Sequence, residues 1–450
     1  MTPSKREPIT GSRRAADNTG TAVPANRLSR LIGLGGLAGG IFGSVMASGV
    51  REIASGRRPR ASGLLLTPKN ARKVADHLLR IRGAAMKVGK LLSMDADDVL
   101  PPEIAAALER LREKADPMPP KQLRSVLNAE WGETWLGRFA HFNVRPIAAA
   151  SIGQVHRATL KDGRDLAIKF QYPGIRGAID SDVENVAAFL RYSGVLPSGM
   201  DTAPLLDDVK RQLHEEADYL QEAAGLTRFS QHLSHDRDFL VPRHHADLST
   251  CNVLAMDFID SRPLSDLVTA PQMTRDAVAA RLIELVLREL FEFGEMQTDP
   301  NFANYRYIAA TGQIVLLDFG ATRAFPHKLR AGFHDLLIAG LGNDREVARV
   351  AAKEVGLFDA QTPKLNQSII LDMLETGMEA FRHRTVFDFG RNDLFVRLRD
   401  RGLELATERD FWSVPATDTL LVQRKVAVTY LIAASLKARV DLAEIVGRYL

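Results

Sequence analysis

The sequence predicts an α+β fold in which a small β-rich part precedes a larger helical part. Residues 142–172 contain three β-like runs, separated by a small-residue turn and an Asp-Gly turn, a pattern typical of strands joined by hairpins. Further along the chain, apolar residues recur at helical spacing. Helices are predicted after a cap at Thr274 and over residues 415–447, where the last helix closes the second part.

Composition and charge narrow the classes of function. The chain has 450 residues, of which 45% are hydrophobic and 25% charged, as in ordinary globular proteins. Its single cysteine, Cys251, cannot form an internal disulfide, which indicates a reducing compartment. The net charge of +4 is uneven, because residues 1–60 carry ten Lys or Arg and three Asp or Glu. The remaining chain is net acidic, so no nucleic-acid partner is expected.

The N-terminal residues predict a disordered tail and a membrane segment. Residues 1–30 are polar, basic and without helical period, as in disordered tails. Residues 31–50 are uncharged and include seven glycines, and about 20 such residues suffice to cross a bilayer as a helix. Gly36, Gly40 and Gly43 share the spacing of small residues in membrane helix pairs, which predicts a homodimer through this face. The alternative interpretation is a flexible Gly/Ala linker.

A helical extension is predicted over residues 64–140, ahead of the β-rich part. Between Val74 and Leu92, apolar residues recur at intervals of three and four, which places them on one helix face. Lys87 and Lys90 lie in this segment. On spacing alone, both are predicted to be solvated charges on an amphipathic helix.

The β-rich part contains a candidate phosphate site. Its first predicted turn consists of small residues, namely Ala148, Ala149, Ala150 and Ser151. A turn with little side-chain bulk lets backbone N–H groups approach a phosphate, and a lysine on a neighbouring strand can neutralise its charge. Lys169, on the third predicted strand, is that lysine.

A helix predicted over residues 205–230 is unusually acidic. Glu216, Asp218 and Glu222 lie within seven positions, and exposed carboxylates at this density repel one another. The acidic residues are explained if each meets a lysine or a bound metal. The alternative is a solvated acidic face.

The most specific signal is the order of five elements along the chain. Asp299 and Asn304 form a D-x-x-x-x-N frame, and Asp318 ends an apolar β-run and begins a D-F-G sequence. In kinase-like sites the first Asp orients the phosphoryl acceptor, while the Asn and the second Asp hold Mg²⁺. The small-residue loop, strand lysine, helix glutamate, D-x-x-x-x-N and D-F-G occur here in kinase order. A bilobal protein-kinase-like fold is therefore predicted, with an N-lobe at 141–262 and a C-lobe at 263–450.

These motifs resemble the UbiB family of atypical protein-kinase-like proteins. The resemblance covers residues 67–440 and rests on AAASIGQVHRA, LAIKFQYPG, EADYLQEA and MQTDPNFAN. It implies Asp299 and Lys169 as catalytic residues, and Asn304 and Asp318 as Mg²⁺ ligands. The ATP-binding residues that it implies are Ala148, Ala149, Ala150, Ser151, Lys169, Glu222 as partner of Lys169, and Met256 and Phe258 of a hinge strand.

The resemblance extends to a K-x-G-Q motif that packs over the active site in this family. The matching residues here are Lys87-Val88-Gly89-Lys90, so a cation replaces the amide at the last position. Regulatory roles are thereby implied for Lys87, Lys90, Glu216 and Asp218, with Lys87 available to pair with Glu216.

The expected function is an atypical kinase or ATPase that binds Mg-ATP at a membrane and supports ubiquinone (coenzyme Q) biosynthesis. Its expected partners are ATP, a lipid or prenylated quinone precursor, and the bacterial inner membrane, or the mitochondrial inner membrane in a eukaryote. Alanines restrict the loop more than glycines would, so it should fold over phosphates less freely. The resemblance implies weak or absent protein-kinase activity. The alternative is a pseudokinase scaffold that binds nucleotide without turnover. A small-molecule phosphotransferase unrelated to quinones is a third hypothesis.

Overall fold

The structure, a computed structural model, describes residues 118–150, 152–184, 187, 203–382, 385–407 and 415–450. The described residues divide into two compact units between His214 and Glu215. Several predicted features lie outside the described residues: the tail at 1–30, the glycine-rich segment at 31–50, Lys87, Lys90 and Ser151. The predicted domain boundaries at 140/141 and 262/263 stay predictions.

The first unit contains an antiparallel sheet. Its elements in chain order are α1 (Pro120–Trp131), a 3₁₀ turn (Trp135–Arg138), β1 (Phe139–Phe142), β2 (Ala148–Ala149), β3 (Gly153–Leu160) and β4 (Asp165–Gln171). Strand β3 pairs with β4 along one edge and with β1 and β2 along the other. Between β3 and β4, Gly163 has a φ of 94°, a left-handed conformation that glycine adopts without strain. The predicted Asp-Gly hairpin is confirmed, whereas Ala148 and Ala149 pair as a strand instead of forming the turn.

Aromatic side chains form the core of this unit. Their ring centroids lie between 5.1 and 6.3 Å apart, and each such pair contributes about 0.5–1.5 kcal/mol beyond the area that it buries. The cluster consists of Trp131, Trp135, Phe139, Phe142, His156 and Phe170. Because Phe170 lies next to Lys169 on β4, the cluster fixes the strand that carries the predicted phosphate lysine.

The second unit is mainly helical. Helix α2 (Ala203–Glu216) runs across the division between the two units. The helices that follow it are α3 (Tyr219–His232), α4 (Gln272–Leu287), α5 (His327–Gly342), α6 (Arg345–Glu354), α7 (Lys364–Arg382), α8 (Leu394–Thr407), α9 (Thr417–Ser435) and α10 (Leu442–Val446). A π-helical turn (Arg288–Phe293) extends α4. The strands are β5 (Phe239–Leu240), β6 (Val253–Asp257), β7 (Arg262–Pro263), β8 (Glu295–Gln297), β9 (Tyr305–Tyr307), β10 (Ile314–Leu316), β11 (Thr322–Ala324), β12 (Phe387–Asp388) and β13 (Arg439–Val440).

Short strand pairs connect the helices of the second unit. Strand β10 pairs in parallel with β5 and antiparallel with β9, and β9 also pairs with β7. Strand β8 pairs antiparallel with β11, and β12 with β13. Within the described ranges, no helix combines the length and apolar character that crossing a bilayer requires.

Three helix predictions differ from the structure. The helix predicted over 205–230 is broken at Asp218, whose carboxylate accepts a hydrogen bond from Leu220 N at 3.1 Å and caps α3; aspartate is favoured at such caps. Thr274 is not a cap, because Pro271 precedes the first residue of α4. The helix predicted over 415–447 ends at Ser435, before Lys437 adopts a φ of 49°.

Candidate functional site

Two loops of the second unit carry three of the predicted site residues. We call residues 298–304 the aspartate loop, which contains Asp299 and Asn304, and residues 317–321 the Asp318 loop. Two main-chain hydrogen bonds join them. Thr298 N donates to Ala321 O at 2.8 Å, and Leu317 N donates to Asn304 O at 3.1 Å. The β8–β11 and β9–β10 ladders continue this pairing on either side. Asp299, Asn304 and Asp318 are thereby brought onto neighbouring stretches of backbone.

Side-chain amides fix the backbone at Asp299. Gln297 Nε2 donates to Asp299 O at 2.7 Å, and Asn304 Nδ2 donates to the same oxygen at 3.3 Å. Asn304 donates here through its nitrogen, and a side-chain amide ligates a hard metal ion through its oxygen.

The carboxylates of Glu222 and Asp318 border one small space. A Cβ built on Gly320 would lie 3.5 Å from Asp318 Oδ1 and 3.6 Å from Glu222 Oε2. Gly320 N donates to Asp318 Oδ1 at 3.1 Å, and Glu222 is only 1% exposed. Two carboxylates facing a common space are stabilised by a cation, so this arrangement suits a metal ion or a charged ligand group.

Helix α3 reaches the Asp318 loop because one of its residues has no side chain. A Cβ on Gly225 would lie 3.0 Å from both Phe319 O and Thr322 Oγ1. Beside this contact, the ring centroids of Phe229 and Phe319 are 4.8 Å apart. The close approach places Glu222, one turn earlier on α3, beside Gly320.

Sequence reasoning missed two adjacent cations on α9. Arg424 donates through its guanidinium to Asp299 Oδ1. Lys425 Nζ donates to Gln297 O at 3.0 Å and lies 2.8 Å from Glu289 Oε2. The signal that could have found them is a pair of adjacent cations between the apolar runs Leu420–Val422 and Val426–Val428.

Burial and mutual contact shift the pKa values of Glu289 and Lys425. Burial raises the pKa of Glu289 to about 7, and the charge of Lys425 offsets only part of this effect. Burial lowers the pKa of Lys425, but the charges of Glu289 and Tyr305 outweigh it, so the net shift is upward. Burial also raises the pKa of Tyr305.

The remaining predicted residues lie elsewhere in each unit. In the first unit, Lys169 is buried on β4 opposite Val155. Ala148 and Ala149 are exposed, and Ala150 N donates to Gly153 O at 2.8 Å. The predicted phosphate roles of these residues stay predictions.

The two predicted hinge residues and the two predicted acidic residues all lie in the described part of the chain. Met256 is buried on β6, which ends one residue before Phe258. The intervening Asp257 is held by His245, whose Nε2 lies 2.7 Å from Asp257 Oδ1. Glu216 is the last residue of α2, and Asp218 caps α3. The pairing of Lys87 with Glu216 concerns a residue outside the described part.

Asn304 and Asp318 are the predicted ligands of a magnesium ion. Among the described residues, no group of three or more His, Cys, Asp or Glu could hold a metal ion. Magnesium is usually bound by one or two protein carboxylates together with substrate phosphates and waters. Asn304 and Asp318 supply hard oxygen donors of this kind.

Comparison with known proteins identifies the class. A family model for the ABC1 atypical kinase-like domain matches residues 110–351, and the chain belongs to this family. A kinase-like domain implies nucleotide binding. The predicted resemblance and the kinase-like fold are confirmed.

Within that class, the similar relatives are COQ8 atypical kinases. The chain is 35% identical over 421 residues to the mitochondrial atypical kinase COQ8B of Danio rerio, covering 93% of this chain and 67% of the relative. It is 33% identical over 425 residues to the mitochondrial atypical kinase COQ8 of Saccharomyces cerevisiae, covering 94% of this chain and 85% of the relative. A Mycobacterium tuberculosis protein solved in complex with erythromycin shares the fold, with a TM-score of 0.59 and 24% identity over 85% of this chain and 96% of that chain.

We expect Gly225→Ala to lower the free energy of unfolding by about 1–3 kcal/mol, because its methyl group overpacks the contact with the Asp318 loop. Gly377→Ala in α7 is the matched control. A Cβ there meets no atom within 4 Å, so a gain of up to about 1 kcal/mol in helix propensity is expected. Denaturant unfolding measures both, and equal stabilities of the two variants would contradict the close approach.

The variant Glu289→Gln tests the buried ion pair through the pH dependence of the free energy of unfolding. Because the folded pKa of Glu289 is raised from 4.5 to about 7, its proton-linked stability is fully present below pH 4.5 and is lost as pH rises through 7. The free energy of unfolding of the wild type, minus that of the variant, should therefore fall by about 3 kcal/mol from pH 4.5 to pH 8.

Glu346→Gln is the control for this titration. Glu346 is fully exposed, and its hydrogen bond with Arg349 lowers its pKa. Its contribution is therefore fully present above its unfolded pKa of 4.5, and the corresponding difference should not fall between pH 4.5 and pH 8. A flat difference for Glu289→Gln as well would show that this carboxyl does not titrate near neutrality.

Proposed function

We propose that the chain binds Mg-ATP and works as an atypical kinase or ATPase. The observation that carries this proposal is the joining of the aspartate loop to the Asp318 loop by main-chain hydrogen bonds at both ends. An acceptor-orienting aspartate and two oxygen ligands on adjacent backbone are what phosphoryl transfer requires. Membership in a family of atypical kinases supports the same function.

The proposed roles follow from the chemistry of each side chain. The amide oxygen of Asn304 and the carboxylate of Asp318 would hold Mg²⁺, which when bound neutralises charge on the phosphate oxygens. Asp299 orients the attacking hydroxyl, of water or of another acceptor, and takes up its proton. Lys169 neutralises phosphate charge from its place on β4.

The alanines of the predicted phosphate loop support an enzyme in which this segment has limited conformational freedom. Ala148 and Ala149 pair with β3 instead of forming a loop, and their methyl groups limit the backbone conformations open to glycine. We therefore assign ATP hydrolysis or transfer to a small lipid acceptor, in preference to phosphorylation of proteins.

The proposal includes a membrane and a quinone pathway. Residues 31–50 are proposed as the membrane segment, with homodimerisation through Gly36, Gly40 and Gly43. The relatives' names place them in mitochondria. The proposed location of this chain is an inner membrane, bacterial or mitochondrial according to the host. A lipid or prenylated quinone precursor is the proposed acceptor or effector, in support of ubiquinone biosynthesis.

Two substitutions test the nucleotide site. Asp318→Asn should weaken Mg-dependent ATP binding at least about tenfold, because a metal ligand loses its charge. Asp299→Asn should lower phosphate release about 100-fold or more and leave ATP affinity within about twofold, because it removes only the acceptor-orienting carboxylate. Calorimetric titration and phosphate release with liposomes present measure the two effects.

The exposed residue Asp335 on α5 provides the control, and Asp335→Asn should match the wild type in both assays. Equal phosphate release by wild type and Asp299→Asn, with ATP binding intact, would favour the scaffold over the enzyme. ATP binding unchanged in both Asp318→Asn and Lys169→Ala would contradict the nucleotide site itself.

The pathway is tested in cells that lack this protein. A strain rescued by the wild type should regain ubiquinone, whereas Asp318→Asn should leave prenylated intermediates accumulated at the level of the deletion, because the proposed metal site is lost. Lipid extraction and mass spectrometry measure the profile. A full quinone pool with Asp318→Asn at wild-type expression would show that metal-dependent nucleotide chemistry is not needed.

A further inference from the structure

The carboxylate of Asp299 is held by a residue far away in the sequence. Arg424 lies 125 positions downstream on α9 and donates to Asp299 Oδ1. Their side chains are 18% and 21% exposed, so water screens the pair only partly. A charge-assisted hydrogen bond in such a setting is stronger than one between exposed groups.

The aspartate loop contains no cation of its own. Its residues from Asp299 to Asn304 are DPNFAN, and the bonds from Gln297 and Asn304 reach the carbonyl of Asp299. Arg424 instead contacts the carboxylate. The loop therefore fixes the backbone, while α9 contributes the positive charge that orients the side chain.

Helix α9 is anchored so that Arg424 keeps its place. The next residue, Lys425, binds both Glu289 and the carbonyl of Gln297. At the start of α9, Asp418 Oδ1 lies 2.7 Å from Arg323 Nε on β11. Both strands of the β8–β11 pair are thus connected to α9, through Gln297 and Arg323, which limits movement of the helix away from the aspartate loop.

We propose that Arg424 is a positioning residue, which holds the Asp299 carboxylate in the orientation needed to direct the phosphoryl acceptor. This inference rests on the proposed function, because it assigns a part in that reaction. A carboxylate free to change rotamer spends only part of its time aimed at the acceptor, and small misplacements of a reacting group cost up to about 100-fold in rate.

Steady-state kinetics of Arg424→Gln test the proposal. We expect kcat for phosphate release to fall about 10–100-fold, with the KM for ATP within about twofold of the wild type. Arg424→Lys keeps the positive charge, so it should recover at least about a third of the decrease in log kcat. A structural role alone would not separate kcat from KM or respond to the conservative variant.

Arg345→Gln is the matched control, because it makes the same substitution, breaks the exposed pair of Arg345 with Asp372, and lies outside the proposed site. It should leave kcat unchanged, and all three variants should keep the thermal unfolding midpoint of the wild type within a few degrees. If Arg424→Gln keeps the wild-type kcat, or if Arg345→Gln lowers kcat equally, the proposal is overturned.

Crystal structures of the wild type and Arg424→Gln provide a readout that does not need turnover. A changed χ1 of Asp299 in the variant supports the proposal, and an unchanged χ1 overturns it. A different result would contradict the proposed function itself, namely equal release of phosphate by the wild type and Asp299→Asn.

Discussion

The main-chain hydrogen bonds between Thr298 and Ala321 and between Leu317 and Asn304 hold the candidate site together. They lie between two strand ladders, β8 with β11 and β9 with β10, so the aspartate loop and the Asp318 loop are connected on both sides. Backbone hydrogen bonds inside a paired strand are costly to leave unmade. The positions of the candidate side chains therefore depend on the register of very short strands, each only three residues long.

Charge compensation explains why α9 packs beside these loops. Glu222, Asp299 and Asp318 concentrate negative charge in the second unit. Of the two adjacent cations of α9, Arg424 contacts Asp299 in the aspartate loop, and Lys425 contacts the carbonyl of Gln297 at the end of β8. The raised pKa of Glu289 reflects the free-energy cost of burying its charge beside Lys425. A buried pair of this kind adds little net stability compared with apolar packing, but it penalises alternative packings of the same helix.

The glycines of the second unit have a complementary role. Gly225 lets α3 approach the Asp318 loop, and Gly320 leaves open the space that Asp318 and Glu222 border. A side chain at Gly225 would crowd that contact, and a side chain at Gly320 would lie against both carboxylates. The break between α2 and α3 at Asp218 contributes as well, because α3 begins there in its own direction and presents Glu222 in its first turn.

The amino-acid sequence by itself determined the local elements of this protein. The Asp162-Gly163 hairpin, the strand that carries Lys169, and the D-x-x-x-x-N and D-F-G motifs depend on neighbouring residues, so their signals lie in short windows. Tertiary structure decided which distant groups meet. The break at Asp218 and the end of α9 at Ser435 override helical periodicity, and the contact of Arg424 with Asp299 joins residues 125 positions apart. No window of sequence records such a contact, because it depends on where the whole of α9 packs.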